Sequence, residues 1–122
     1  MKLTYQLAGP QRICIITDCT YCDYDPAEYP PDHFRSTPDL NYNEEEELSG
    51  SLLTMDRAFR NFGRHTGAPV QDLFQMAATT PAKMIGIGHL TGALAPGKWA
   101  NIVILDQNLQ LRKVLLRGEV VA

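Results

Sequence analysis

Leu48-Ser-Gly-Ser-Leu-Leu-Thr-Met-Asp-Arg-Ala-Phe-Arg-Asn61 decides how the chain is read, because it runs from a glycine-centred turn directly into a strongly patterned helix. Thr54 can cap that helix, and Met55, Ala58, Phe59 and Phe62 fall at i, i+3, i+4 and i+7, a single apolar face at helical spacing. Arg64 and His65 lie near the negative end of its dipole, and Gly67 reads as the C′ stop. A second helix starts at Pro69 and repeats the spacing with Val70, Leu73, Phe74 and Ala77. Thr80 and Pro81 then read as the N-cap and first position of a short third helix through Ile85, stopped by Gly86.

On the N-terminal side, Arg12 to Thr17 contains Ile13-Cys-Ile-Ile16, a short apolar run between the Gly9-Pro10 turn and Asp18, the pattern of a strand buried on both faces. Asp18 stands at its C-terminal end. From Tyr21 to Glu47 the periodicity disappears while Pro26, Pro30, Pro31, Pro38 and the acidic run Glu44 to Glu47 accumulate, so an irregular flap is expected there. On the C-terminal side the period changes to that of strands: Ile102-Val-Ile-Leu105, Lys113-Val-Leu-Leu-Arg117 and Val120-Val121, with turns around Asp106 to Asn108 and at Gly118.

Bulk composition bounds the function classes. With 122 residues, 44% of them apolar, the chain can build one modest core. A net charge of −3, with its eleven basic residues scattered, argues against a nucleic-acid or acidic-membrane surface. No apolar run approaches the ~20 residues that span a bilayer, and Met1-Lys-Leu-Thr-Tyr-Gln-Leu7 has no signal-peptide core. Three cysteines, an odd number, fit a reducing compartment better than a disulfide framework, so the expected location is cytoplasmic.

Few motifs carry chemistry. Gly92-Ala-Leu-Ala-Pro-Gly-Lys98 has the letters of a phosphate-binding loop, but Pro96 removes an amide donor, Trp99 replaces the hydroxyl that would meet magnesium, and a strand rather than a helix follows. A tight turn into a strand is the better reading. Cys19-Thr-Tyr-Cys22 could be half a zinc site or a redox dithiol, but Cys14, His33, His65 and His89 show no paired spacing to complete the zinc, and no helix start follows the pair as a thioredoxin-like dithiol needs; two small, partly buried residues beside a strand end is the better reading. Asp18 is open to two readings. It is a turn residue at a strand end, or it is a carboxylate placed to move a proton where barrel enzymes keep their chemistry.

Three segments in order carry a family resemblance: Leu7-Ala-Gly-Pro-Gln-Arg-Ile-Cys-Ile-Ile-Thr-Asp18; Leu48-Ser-Gly-Ser51 with Leu53-Thr-Met-Asp56 and Arg60-Asn61; and Gly92 through Asp106. Together they resemble the C-terminal third of N-acetylglucosamine-6-phosphate deacetylases, members of the amidohydrolase superfamily. The middle segment is the more specific, because dihydroorotases and adenine deaminases share a turn like the last one. The resemblance implies an α/β fold in which residues 1–91 are the last strand and helices of a metal-dependent hydrolase TIM barrel, with 21–47 as flap. Residues 92–122 would be the C-terminal strands of a small β-sandwich domain. It also implies Asp18 as general acid/base, with the backbone of Leu48, Ser49 and Gly50 lining the N-acetyl sugar pocket. A divalent metal, zinc or iron, is implied too, but the family's glutamate and histidine ligands lie on earlier strands and none is assigned here.

The implied reaction is hydrolysis of N-acetylglucosamine 6-phosphate to glucosamine 6-phosphate and acetate, with a small-molecule sugar phosphate as partner, no nucleic acid or membrane, and a homo-oligomeric assembly. The alternatives are another amidohydrolase, or a non-catalytic truncated domain that folds by association. Cys19 departs from the family's usual Ala, Asp25 to Tyr29 only loosely echoes a family turn, and His33 to Glu47 matches little.

Overall fold

The computed structural model describes residues 1–20, 40–42 and 47–122, with the backbone alone at 41 and 42; the expected flap from Tyr21, with Cys22 and His33, lies almost wholly outside them. In chain order the elements are α1 (Lys2–Ala8), a 3-10 turn (Pro10–Arg12), β1 (Leu40–Tyr42), β2 (Leu48–Ser51), α2 (Met55–Thr66), α3 (Val70–Phe74), a π-helical segment (Gln75–Thr79), α4 (Thr80–Met84), β3 (Ile102–Leu105), β4 (Leu111–Leu116) and β5 (Glu119–Val120). The chain is thus an α/β protein with a small antiparallel sheet β3-β4-β5 and a separate β1-β2 pair. It divides into two compact units, one made of Met1–Ile15 with Phe59–Ala122 and the other of Ile16–Ala58.

In the first unit part of the apolar faces expected from the sequence becomes the core, while Val70 and Phe74 stay 37% and 44% exposed. Phe59 and Phe74 meet with ring centroids 5.1 Å apart, and Phe59, Leu73, Met76, Ala68 and Ala82 are buried with Ile15. Gly63 lets α2 and α3 approach, since a Cβ there would stand 2.8 Å from Leu73 Cδ1. α2 ends where expected, with Gly67 at φ 74° donating its amide to Gly63 O at 2.9 Å. The Thr54 hydroxyl, however, donates to the Asp56 carboxylate.

Two expectations change here. Thr80 is not an N-cap: it has helical dihedrals (φ −64°, ψ −49°), and helix runs without a break from α3 through the π segment into α4. Pro81 explains the detour. It has no N–H and would crowd the carbonyl one turn back, so the hydrogen bonds slip by one residue, the Thr80 amide reaching Gln75 O. The residue five before Pro81 is Met76, whose carbonyl therefore lacks a helical donor at that spacing. Ile15 supplies one, its N–H lying 3.0 Å from Met76 O. Thr80, 3% exposed, uses its hydroxyl to donate to Pro10 O at 2.9 Å and to accept from Gln75 Nε2 at 3.0 Å.

The second change concerns the run Ile13 to Ile16. Residues 10–12 form the 3-10 turn and Ile13 is extended (φ −119°, ψ 135°), yet no ladder strand forms at 13–18. Ile15 is 6% exposed and Ile16 73%. A strand buried on both faces needs a neighbour on each side, and the described residues supply none along this run.

α1 carried no helical signal in the sequence reading. It is held by the Tyr5 hydroxyl, which donates to Asp72 Oδ2 at 2.5 Å, and by an edge-on contact of Tyr5 with Phe62 at 6.1 Å. The hydrogen bond to the Asp72 carboxylate is the main cause that raises the Tyr5 pKa above its ordinary 10.0.

The turn before the sheet follows its sequence signal. In Ala95-Pro-Gly-Lys98 the Lys98 amide donates to Ala95 O at 3.2 Å and Gly97 has φ 82°, a β-turn with Pro and a positive-φ Gly at the central positions. The Lys98 ammonium donates to Gly88 O. β3 pairs with β4 from Ile102↔Leu115 to Leu105↔Leu111, with one irregularity. The hairpin turn is organised by Asp106, whose carboxylate accepts from the Asn108 and Gln110 amides at 2.8 and 2.9 Å and from Arg112 at 2.6 and 3.0 Å. β4 turns into β5 through Arg117 and Gly118, both at positive φ (52° and 92°), which suits the right-handed twist of a two-residue hairpin. The Arg117 guanidinium lies 4.8 Å from the Trp99 ring centroid.

Gly92 has φ 88°, and a Cβ there would stand 2.7 Å from Ala82 Cβ and 3.0 Å from Ala78 O, whereas Gly97 has open space. Gly92→Ala should cost about 2–4 kcal/mol in urea unfolding and Gly97→Ala about 1 kcal/mol; equal losses would contradict the close approach. The Gln110 amide, then Arg112 and the Asn108 amide, hold the Asp106 carboxyl below its ordinary 3.8. A carboxyl lowered in the fold contributes stability that is full above its unfolded pKa and is lost as pH falls through the lower folded value. Carboxyl-carbon NMR should show Asp106 titrating below the free-acid range, and Asp106→Asn should remove that acid-sensitive step from the hairpin.

Candidate functional site

The second unit brings the two sequence signals together. The sequence predicts a turn at Leu48 to Ser51; the stretch is instead the strand β2, lying between two partners. On one side it pairs antiparallel with β1, Leu40↔Ser51 and Asn41↔Gly50. Leu40–Tyr42 thus forms a strand inside the span 21–47 expected to be irregular. On the other side Ser51 bridges Cys19 in parallel fashion: its N–H donates to Asp18 O at 2.8 Å and its carbonyl accepts the Thr20 N–H at 3.1 Å. This central position accounts for the burial pattern along β2, where Leu48 and Ser49 are exposed and Gly50 and Ser51 buried.

The β1-β2 register continues at Tyr42↔Leu48, so Ser49 is the extra residue of a β-bulge. Bulges bend a strand and re-aim a side chain. No sequence signal pointed to this one, because its partner strand lies in a segment without periodicity.

Gly50 is required by packing within the protein. It sits at φ 149°, and a Cβ there would overlap Thr20 Cγ2 and stand 2.8 Å from Asp18 O. The glycine therefore lets β2 approach the Asp18 segment. Asp18 itself has φ 51°, left-handed backbone that costs a non-glycine residue about 1 kcal/mol and that Asp tolerates better than most. Its side chain is exposed and, among the described residues, accepts no hydrogen bond. The Thr17 side chain accepts the Cys19 N–H at 3.3 Å, helping to shape the turn.

Asp18 and Gly50 are thus adjacent through backbone, with Ser51, the last residue of β2, hydrogen-bonded to the Asp18 turn. Leu48 and Ser49 are displayed on the same strand. What this arrangement can do chemically is present one carboxylate, fixed by its backbone and accepting no hydrogen bond among the described residues, next to the exposed, bulged end of β2 at Leu48 and Ser49. Ser51, which the sequence reading did not single out, makes most of the connections.

The described residues do not fit a metal. No group of three or more His, Cys, Asp or Glu side chains among them is arranged to hold an ion. His65 and His89 are exposed, and Cys14 donates to the Met84 sulfur at 3.2 Å. No helix among the described residues is long and apolar enough to cross a membrane.

Comparison with known proteins adds to this geometry. Residues 7–121 match the model of the amidohydrolase family. An N-acetylgalactosamine-6-phosphate deacetylase of Escherichia coli O157:H7 is 38% identical over 72 residues, which are 59% of this chain and 19% of that protein. The crystal structure of N-acetylglucosamine-6-phosphate deacetylase from Pasteurella multocida superposes with a TM-score of 0.82 at 24% identity, over 99% of this chain and 32% of that one. The corresponding enzyme structure from Thermotoga maritima gives a TM-score of 0.79 at 25% identity, over 98% of this chain and 33% of that one. The chain therefore spans about a third or less of the length of these proteins.

Gly50→Ala should loosen the second unit. Amide exchange at Ser51 and Thr20 should speed up by roughly tenfold or more, as local opening becomes easier, while the Gly67 amide at the end of α2 keeps its protection. Unchanged exchange at Ser51 would mean that Gly50 does not set the approach of β2.

Proposed function

The chain belongs to the amidohydrolase family, matching its model over residues 7–121, and on that premise we propose that it is the C-terminal portion of a deacetylase acting on N-acetylglucosamine 6-phosphate. The products are glucosamine 6-phosphate and acetate. The observation that carries this reading is the pairing of Asp18, exposed in a left-handed conformation, with the Leu48 to Ser51 strand. In that reading residues 1–91 complete a TIM barrel and 92–122 complete a small β-sandwich domain.

Each residue then has a task. The Asp18 carboxylate, which accepts no hydrogen bond among the described residues, takes the proton of the attacking water and passes it to the departing amine, which makes the amine a competent leaving group. Backbone groups of Leu48, Ser49 and Gly50 orient the acetamido sugar, with the bulge at Ser49 turning the exposed end of β2 toward it. Amidohydrolases generally use a divalent metal; in this reading it is zinc or iron, held by residues outside those described here. The whole enzyme is a cytoplasmic homo-oligomer working on a small sugar phosphate.

A second reading differs at one carbon of the sugar. The relative from Escherichia coli O157:H7 is named for the galactosamine epimer, so N-acetylgalactosamine 6-phosphate is the competing substrate.

Both readings are tested in a full-length enzyme built by replacing the matching stretch of the Thermotoga maritima deacetylase with these 122 residues. Acetate release should favour one epimer in kcat/KM. Asp18→Asn should lower kcat by about 10²–10⁴-fold with KM little changed, the usual scale for losing a positioned acid/base. If the Asn variant turns over at the parent rate, Asp18 is not the proton carrier and this function fails with it.

A further inference from the structure

Ser51 directly follows the strand positions assigned to the sugar, and besides its pairing with Leu40 it makes a set of contacts to the Asp18 turn. Its side chain is 9% exposed and so is not offered to a ligand. Its hydroxyl donates to Thr17 O at 2.5 Å and accepts the Leu53 N–H at 3.1 Å, using both of its hydrogen-bonding roles inside the protein. Its backbone N–H and C=O grip Asp18 O and the Thr20 N–H. Thr17, Asp18 and Thr20 are thus all held by a single residue, and Asp18 is the one among them in left-handed backbone.

That conformation needs an external hold. Left alone, a short polar turn would relax toward the right-handed or extended regions that non-glycine residues prefer. The Ser51 N–H fixes the carbonyl after the Asp18 Cα, and the Ser51 hydroxyl fixes the carbonyl before its nitrogen. The two peptide planes flanking Asp18 are therefore both anchored, and the direction of its Cα–Cβ bond with them.

From this geometry we infer that Ser51 is a positioning residue for Asp18: its hydroxyl holds the carboxylate-bearing turn in the left-handed conformation that aims it at the substrate. The inference rests on the assignment of Asp18 as the proton carrier. Ser51 touches no reacting atom; its contribution passes through the backbone of residues 17–20. The Ser51 hydroxyl accounts for only the side-chain half of the hold, so removing it leaves the β2 bridge to Asp18 and Thr20 in place.

The test uses the full-length enzyme carrying these 122 residues, with Ser51→Ala, Ser51→Thr, Asp18→Asn and the Ser51→Ala/Asp18→Asn double variant. Ser51→Ala should lower kcat about tenfold, the scale of one hydrogen bond lost from an arrangement, with KM changed less than about twofold. Ser51→Thr keeps the hydroxyl and should recover most of the loss. In the Asp18→Asn background Ser51→Ala should have no further effect on kcat, because a residue acting through the carboxylate has nothing left to position. An equal drop in both backgrounds, or no recovery by Thr, overturns the inference while leaving the role of Asp18 standing. Parent-like kcat in Asp18→Asn overturns the functional reading instead. In the 122-residue chain itself, Ser51→Ala should shift the Asp18 Cα and Cβ resonances and speed Leu53 amide exchange; unshifted Asp18 signals also overturn it.

Discussion

The missing N–H of Pro81 organises the first unit. A proline inside a helix leaves a carbonyl without a donor, and here the chain widens into a π turn so that the unpaired carbonyl is that of Met76. Met76 is fully buried, where an unsatisfied carbonyl would cost about 1–3 kcal/mol. The Ile15 amide meets it. The extended segment after the 3-10 turn is thus fastened to the helical layer by a need that the helix itself creates. The Thr80 hydroxyl strengthens the same junction by reaching Pro10 O. A carbonyl left without a donor in one element becomes tertiary order in another.

In the second unit the governing relation is closeness of backbones. Only a glycine can stand at residue 50 with Thr20 and the Asp18 carbonyl so near, and only that closeness lets β2 take its place between β1 and the Asp18 turn. The exposed carboxylate is thereby tied to strand geometry, although it makes no side-chain bond among the described residues. A carboxylate held by its backbone keeps its lone pairs available for proton transfer, whereas one held through its oxygens would have spent them on the scaffold.

How much of this was legible in the sequence depends on where the information lay. α2, with its apolar face and Gly67 stop, and the three C-terminal strands with their turns could be read because their signals are local: helical spacing, positive-φ glycines, and an Asp that organises its own hairpin. The π segment could not, since Thr80-Pro81 offers the same letters for a helix start as for a detour within a helix, and tertiary context decides. Ile13-Cys-Ile-Ile16 had the letters of a buried strand, but a strand is a relation between segments, and the run remains extended and unladdered with Ile16 exposed. At the site, Asp18 and the Leu48 to Gly50 stretch were singled out by resemblance. Ser51 was missed because its importance lies in contacts more than thirty positions distant in the chain. β1 was hidden in a span without alternation, and α1 is a short helix with much of its apolar surface exposed.

The C-terminal sheet has a further consequence. β3 is apolar at every position, β4 and β5 add Leu111, Leu116 and Val120 to the exposed surface, and among the described residues β3 and β5 are both edges. A sheet with open edges and hydrocarbon on its surface is a template for its own copies. The same edges that a partner strand would close are thus places where concentration and ionic strength bear on association between molecules.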